Sequence, residues 1–188
     1  MGEEVMFEKD LPCPCGKGVV HVELLEHDTW PSGRHQRNDL RCEDCKAKYV
    51  SGFLVDAYIL RADNEEMEKR QHAIYDRRRA VGDKAAAKYL PQFLEHVKAL
   101  KFKTAMYDAV GCGGSMGRFY KDTRYGLDAV IEDGLRSNPA HALKQLKVED
   151  AEIAAELEAI AKEAAALKEF IAKVPKHPVP KMDEYTRR

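Results

Sequence analysis

Two close pairs of cysteines constrain the fold of this 188-residue chain more than any other feature. Cys13 and Cys15 form the first pair, and Cys42 and Cys45 form the second. Twenty-six residues separate the pairs, which is enough chain to bring the second pair back to the first. Four thiolates from two converging turns match the ligand set of one tetrahedral Zn²⁺ ion. The sequence therefore predicts one structural zinc site, and folding around it is expected to depend on the metal.

Two alternatives to this ligand set stay open at the level of sequence. Three histidines lie between the pairs, and any one of them is an alternative ligand if Cys13 points away: His21, His27 and His35. The other alternative is that the cysteines are ordinary thiols. The acidic N-terminus carries no apparent secretory leader, so a disulfide framework is not expected. A reducing cytoplasm is the expected compartment, with the cysteines used for metal.

The residues around the two pairs carry a family resemblance. Residues 13–18 read Cys-Pro-Cys-Gly-Lys-Gly, and residues 42–46 read Cys-Glu-Asp-Cys-Lys, with Tyr49 soon after. Over residues 11–60 the chain resembles the zinc-ribbon superfamily. The resemblance implies a small zinc-stabilised β module, and because ribbons serve many functions it implies no particular activity.

Hydrophobic periodicity divides the chain into a β module and a helical body. Residues 18–27 alternate as a strand, and residues 47–60 read as a strand or strand pair with a bend at Gly52. Helical spacing begins near residue 62, with Gly82 as a stop and Pro91 as a kink or restart. The predicted fold class is α+β, in three parts: a zinc-ribbon-like β module at 1–60, a helical domain at 61–174 that ends in a heptad helix, and a flexible tail at 175–188.

Basic residues in two places are candidates for contacts with DNA or RNA. The formal net charge is −1, so nucleic-acid binding would need a local patch. In the loop from Trp30 to Arg41 an aromatic ring could stack on bases while arginines meet phosphates. The alternative is a solvated, salt-bridged surface. The candidate residues are Trp30, Arg34, Arg37, Arg41, Arg77, Arg78 and Arg79.

The last helix has a regular apolar seam and an acidic polar surface. Its apolar positions step by four and three residues for nearly three heptads. Residues 149–173 hold seven acidic and three basic side chains, which would repel nucleic acid. The seam either packs within the chain or binds a partner or a second copy. The candidate partner-binding residues are Ile153, Leu157, Ile160 and Leu167.

The glycine-rich segment at 111–117 interrupts the helical body and contains Cys112. A turn between helices is the favoured interpretation, and a nucleophilic Cys112 is the alternative. No nucleophile–base signature accompanies it, and a four-thiolate site would leave no position for water, so an enzyme is the least favoured class. No apolar run is long enough to span a bilayer. The favoured function is a non-enzymatic zinc-containing adaptor that binds a larger protein, in a nucleic-acid-processing complex for example, with direct DNA or RNA binding as the alternative.

Overall fold

The computed structural model describes residues 3–27, 33–100, 103–111 and 126–178. It has an antiparallel sheet followed by a mostly helical region, so the predicted α+β class is confirmed. In chain order the elements are β1 Glu3–Pro12, β2 Val19–His27, β3 Gly33–Leu40, α1 Glu43–Lys48, β4 Tyr49–Ser51, β5 Ala57–Leu60, α2 Arg61–Lys98, α3 Lys103–Ala109, α4 Gly126–Ser137, α5 Pro139–Leu146, α6 Ala151–Lys173 and β6 His177–Pro178.

The chain forms two compact units. Unit 1 comprises residues 1–69 and 169–188, and unit 2 comprises residues 70–168. Unit 1 therefore contains both sheets and the two cysteine pairs, and unit 2 is helical.

The first sheet has the order β1-β2-β3, and both of its strand pairs are antiparallel. The alternation predicted for residues 18–27 is observed, since Val20, Val22 and Leu24 are buried on one face. The first eleven residues, for which the sequence analysis gave no strand, contribute most of strand β1. The alternation of β1 is hard to recognise in the sequence, because Lys9, which lies opposite the buried Val22, is polar and exposed.

One hydrophobic core cluster of unit 1 contains two of the cysteines. Its buried members are Cys13, Val20, Val22, Leu24, Leu40, Cys45 and Tyr58. Burial raises the pKa of the Tyr58 phenol, with a further contribution from the negative charge of Asp39. Two of the four candidate ligands are thus part of the hydrophobic core, which links metal binding to core packing.

A second small sheet follows the cysteine pairs. Its order is β4-β5-β6, and Gly52 lies in the bend between β4 and β5, as the sequence predicted. His177 pairs with Tyr58, and its ring also contacts Tyr49 edge to face at 5.1 Å between centroids. The side chain of Asn64, buried in the first turn of α2, accepts a hydrogen bond from the amide of Phe53 at 2.7 Å.

Helix α2 does not stop at Gly82, and that prediction is wrong. The helix continues through Gly82 and Pro91 to Lys98. A Cβ at position 82 would lie 2.2 Å from the carbonyl oxygen of Arg136 in α4. Gly82 is therefore present because another backbone passes against it, and not because the helix ends there.

Helix α5 was also missed by the sequence interpretation. Asn138 caps it by accepting a hydrogen bond from the amide of His141 at 3.3 Å, and Pro139 occupies its first turn. Asn138 directly follows the last residue of α4, and Pro139 is the first residue of α5, so the two helices are joined by a single residue.

Within unit 2, ion pairs join α2 to α6. Lys84 contacts Glu156 at 2.9 Å, and Lys88 contacts Asp150 at 2.7 Å. Because the position in α6 falls as the position in α2 rises, the two helices are antiparallel. Glu152 and Glu156 raise the pKa of Lys84 through hydrogen bonds.

Replacing Asp150 by asparagine is expected to lower stability more at pH 7 than at pH 3. Asp150 Oδ1 accepts hydrogen bonds from the amides of Glu152 and Ile153, which caps α6. Hydrogen bonds from Lys88 and Tyr89 hold the pKa of this carboxyl well below its usual range. A lowered pKa contributes stability above about pH 4, and that stability is lost as the pH falls. Urea unfolding at both pH values tests this, with Asp133→Asn, an exposed position on α4, as the control. An equal loss at both pH values would contradict it.

Candidate metal centre

The first cysteine pair lies in the turn that joins β1 to β2. Pro12 pairs with Val19 at the base of this turn. The amide of Cys13 donates to the carbonyl of Gly18 at 3.0 Å, and the amide of Gly16 donates to the carbonyl of Cys13 at 2.9 Å. Gly16 has φ +72°, a conformation that glycine adopts without strain. These contacts fold the Cys-Pro-Cys-Gly run into a compact knuckle.

The second pair lies at the start of α1. Cys42 precedes the helix and Cys45 falls in its first turn, where the Lys46 amide donates to the Cys42 carbonyl at 2.8 Å. The Arg41 amide donates to the carbonyl of Val19 at 3.0 Å. Because β3 pairs with β2, the second pair of cysteines lies next to the first.

All four sulfur atoms meet at one point. They lie within 4.8 Å of one another, with 3.3 Å between Cys13 and Cys15 and 3.7 Å between Cys15 and Cys42. Sulfur atoms bound 2.3 Å from one tetrahedral zinc ion are separated by about 3.8 Å. The cluster therefore fits a metal ion held by four thiolates. Among the described residues only these four join the cluster, so the candidate ligands are all sulfur atoms.

The absence of a side chain at Gly18 allows the turn that holds the first cysteine pair to approach Cys42 of the second pair. A Cβ at this position would lie 2.7 Å from the Cβ of Cys42 and 3.2 Å from its sulfur. The Gly18 amide also donates to the sulfur of Cys13 at 3.2 Å. Of the two glycines in this turn, Gly16 has a positive φ and Gly18 does not. The requirement at position 18 is space, which a glycine between a knuckle and a strand could have indicated.

Replacing Gly18 by alanine is expected to weaken metal retention by about tenfold to a hundredfold. The added methyl group must push Cys42 aside, and overpacking of this kind costs about 1–3 kcal/mol. Competition with a chromogenic chelator measures the affinity. Gly16→Asn is the control, because asparagine tolerates the left-handed conformation and nothing lies within 4 Å of the new Cβ. Equal affinities for Gly18→Ala and the unmodified chain would contradict the close-approach argument.

The protonation of the cluster favours a cation as its occupant. Burial raises the pKa of Cys13, but hydrogen bonds from the Cys15 thiol and the Gly18 amide outweigh this effect and lower it to about 6. Burial raises the pKa of the Cys45 thiol to about 12. Once one thiolate has formed, its neighbours resist losing their own protons. A divalent cation supplies the positive charge that four thiolates in contact require.

The histidine alternatives differ in where the structure places them. His21 lies on the sheet face opposite the core and contacts Asp10 at 2.7 Å, away from the sulfur cluster. His35 is half-buried in β3. The side chain of His27 lies outside the described residues. Neither His21 nor His35 belongs to the sulfur cluster, so the four-cysteine interpretation accounts for the ligands without them.

The structure describes only some of the candidate nucleic-acid residues. Residues 33–40 of the predicted basic loop form strand β3, so the prediction of a loop is wrong for that part. Arg37 contacts Glu23 at 2.7 Å, Arg41 contacts Asp39 at 3.3 Å, and Arg77 pairs with Glu163 in unit 2. Trp30 and the side chain of Arg34 lie outside the described residues. The two remaining candidates are exposed on α2: Arg78 and Arg79.

The partner-binding candidates of α6 are mostly covered. Ile153, Ile160 and Leu167 are at most 4% exposed, and Leu157 is half-buried. This burial favours packing of the seam within the chain. Cys112, the alternative nucleophile, lies outside the described residues.

These features define a class of protein: an antiparallel β module with a candidate four-cysteine metal centre, followed by a helical region. Comparison with protein-family models, curated proteins and solved structures finds no match to this chain. Among the described residues, no helix combines the length and apolar character needed to cross a membrane.

Proposed function

We propose that this protein is a zinc-stabilised adaptor whose β module binds an extended segment of a larger protein along strand β1. The metal in this proposal is one Zn²⁺ ion held by Cys13, Cys15, Cys42 and Cys45. Four thiolates complete a tetrahedral shell and leave no position for water, so the ion has a structural role.

An exposed apolar run on β1 carries the proposal. Val5 and Met6 are each 47% exposed, and Phe7 is 37% exposed. β1 lies at one edge of the described sheet, and its register with β2 shifts between Val5 and Phe7. Three consecutive apolar side chains at a sheet edge are typical of a surface that accepts an added strand from another chain.

The charge of the β module favours a basic protein segment over nucleic acid. Residues 1–60 contain eleven acidic and seven basic side chains, and a zinc ion with four thiolates adds two further negative charges. Arg37 and Arg41 already contact carboxylates, which reduces their availability to phosphates. A partner strand with apolar and basic residues would complement both the apolar run and the surrounding carboxylates.

Site-specific photo-crosslinking tests this function. A photoreactive residue at Met6 is expected to give one discrete protein adduct in cells, whereas the same residue at Tyr75, which is 60% exposed on α2, should not give it. Adding Val5→Asp and Phe7→Asp should remove the adduct, and the crosslinked peptide should map to an extended basic and apolar segment. Equal adducts from both positions would contradict the proposal.

Nucleic-acid binding is tested separately by fluorescence anisotropy across a salt series. The adaptor proposal predicts no tight binding to mixed DNA and RNA probes even at low salt. Tight, steeply salt-dependent binding that Arg34→Ala weakens would instead support direct nucleic-acid binding through residues 30–41, which include strand β3.

A further inference from the structure

A second cluster of metal-ligating groups lies on the sheet face that points away from the core. In β2, Val20, Val22 and Leu24 are buried, so the alternate residues His21 and Glu23 face the other side. Both are half-buried, with side chains 12% and 15% exposed. They are therefore held in place more firmly than ordinary surface side chains.

Strand register surrounds His21 with carboxylates. Asp10 in β1 is directly opposite His21, and Glu8 is directly opposite Glu23. Like charges directly opposite each other on neighbouring strands destabilise a sheet. The pairing of Glu8 with Glu23 therefore favours a positive charge close by, of which Arg37 on β3 supplies a part through Glu23.

The imidazole ring has its two nitrogens in different surroundings. Nδ1 lies 2.7 Å from Asp10 Oδ1, while Nε2 lies 3.3 Å from Glu23 Oε1 and 3.7 Å from Glu8 Oε2. A hydrogen bond from Nδ1–H to Asp10 leaves the lone pair of a neutral ring on Nε2. Three electron-pair donors then lie close enough together to bind one cation: Nε2 of His21 and a carboxylate oxygen of each of Glu8 and Glu23.

Arg37 supports this arrangement from the third strand. Its Nε donates to Glu23 Oε2 at 2.7 Å, which leaves Oε1 directed at His21. A carboxylate on the far nitrogen of a ligating histidine and a hydrogen bond to a ligating carboxylate are the usual supports of metal ligands. Glu8 and Asp10 are exposed, so an ion could enter from solvent.

We propose that Glu8, His21 Nε2 and Glu23 form a second divalent-metal site, distinct from the cysteine cluster, with Asp10 as the positioning residue for the imidazole. The three ligand atoms lie within 4.8 Å of one another. One imidazole and two carboxylates suit Zn²⁺, Co²⁺ or Ni²⁺, and the imidazole selects against Ca²⁺ and Mg²⁺. The ion joins β1 to β2 and remains exchangeable, because water completes its coordination.

Zinc titration of the full chain, followed through the ring nitrogen signals of His21 by NMR, tests the site. The proposal predicts a saturable shift of Nε2, with Nδ1 retaining its proton, and a second bound ion in parallel calorimetry. Glu8→Gln with Glu23→Gln should weaken this binding at least tenfold, whereas Glu65→Gln, an exposed position on α2, should change it less than twofold.

The competing occupant of the site is a proton on Nε2. If a proton and not a metal ion occupies Nε2, both nitrogens of His21 keep their protons and their signals stay unchanged at a tenfold excess of Zn²⁺. That result would overturn the proposal, as would a second ion whose affinity is the same in the double variant. Neither result depends on the adaptor function or on the occupancy of the cysteine cluster.

Discussion

Replacing Cys45 with serine is expected to release the metal ion and unfold the β module. Cys45 is 1% exposed and lies in the same core as Val22 and Tyr58, so losing its metal bond also leaves a polar hydroxyl in an apolar site. Structural zinc contributes about 10–16 kcal/mol to the folding of zinc-finger peptides. Small domains have a total stability of about 5–15 kcal/mol, so the module cannot tolerate this loss. Zinc content, far-ultraviolet circular dichroism and limited proteolysis measure it.

Two comparisons make the Cys45 experiment specific to the metal. Cys112→Ser changes the one cysteine that the sequence places apart from the pairs, and it is expected to retain both zinc and the proteolytic pattern of the unmodified chain. Strong chelation of the unmodified chain is expected to reproduce the effect of Cys45→Ser. A chain that keeps its circular dichroism and protease resistance after complete chelation would show that the fold does not depend on metal.

Replacing Gly82 with alanine is expected to destabilise unit 2 by about 2 kcal/mol or more. Helix propensity alone predicts the opposite, because alanine stabilises a helix interior by about 1 kcal/mol relative to glycine. The new Cβ would lie 2.2 Å from the Arg136 carbonyl oxygen and 2.9 Å from its carbonyl carbon. These are backbone atoms, so no rotamer change relieves the clash and α4 must move. Urea unfolding of the full chain, monitored in the helical region, measures the loss.

Ala80→Gly is the matched control for helix propensity. Ala80 is exposed on the same helix two residues earlier, so this change is expected to cost about 1 kcal/mol from propensity alone. Stabilisation of the chain by Gly82→Ala would contradict the close approach of α4 to α2.

The local chemistry of the sequence was enough to predict the cluster of four cysteines and the fold class. Cysteine spacing alone indicated that Cys13, Cys15, Cys42 and Cys45 belong together, and their sulfurs meet. Alternation in residues 18–27 predicted β2, and the 4-3 spacing after residue 150 predicted α6. The two periodic patterns are each contained within one segment of the chain. The cysteine prediction relies on a residue type that a reduced protein uses mainly to bind metal.

The errors in the sequence analysis arose where the role of a residue depends on contact with a distant part of the chain. Gly82 was interpreted as a helix stop, because its contact with Arg136 lies 54 positions away and leaves no local trace. β1 was missed because it pairs with β2 despite its acidic composition. The sequence around Glu8 and Asp10 does not distinguish them from ordinary surface carboxylates, and only the strand register places them beside His21. Their grouping depends on pairing, which no single segment specifies.

X-ray absorption at the zinc edge of the purified full chain tests the four-cysteine centre most directly. The His21→Ala variant is the sample to use, so that an ion on the sheet face is not counted. The predicted result is one zinc ion per chain with four sulfur neighbours at about 2.3 Å. A spectrum that requires nitrogen or oxygen ligands in place of sulfur, or a folded chain with no bound metal, would contradict the account.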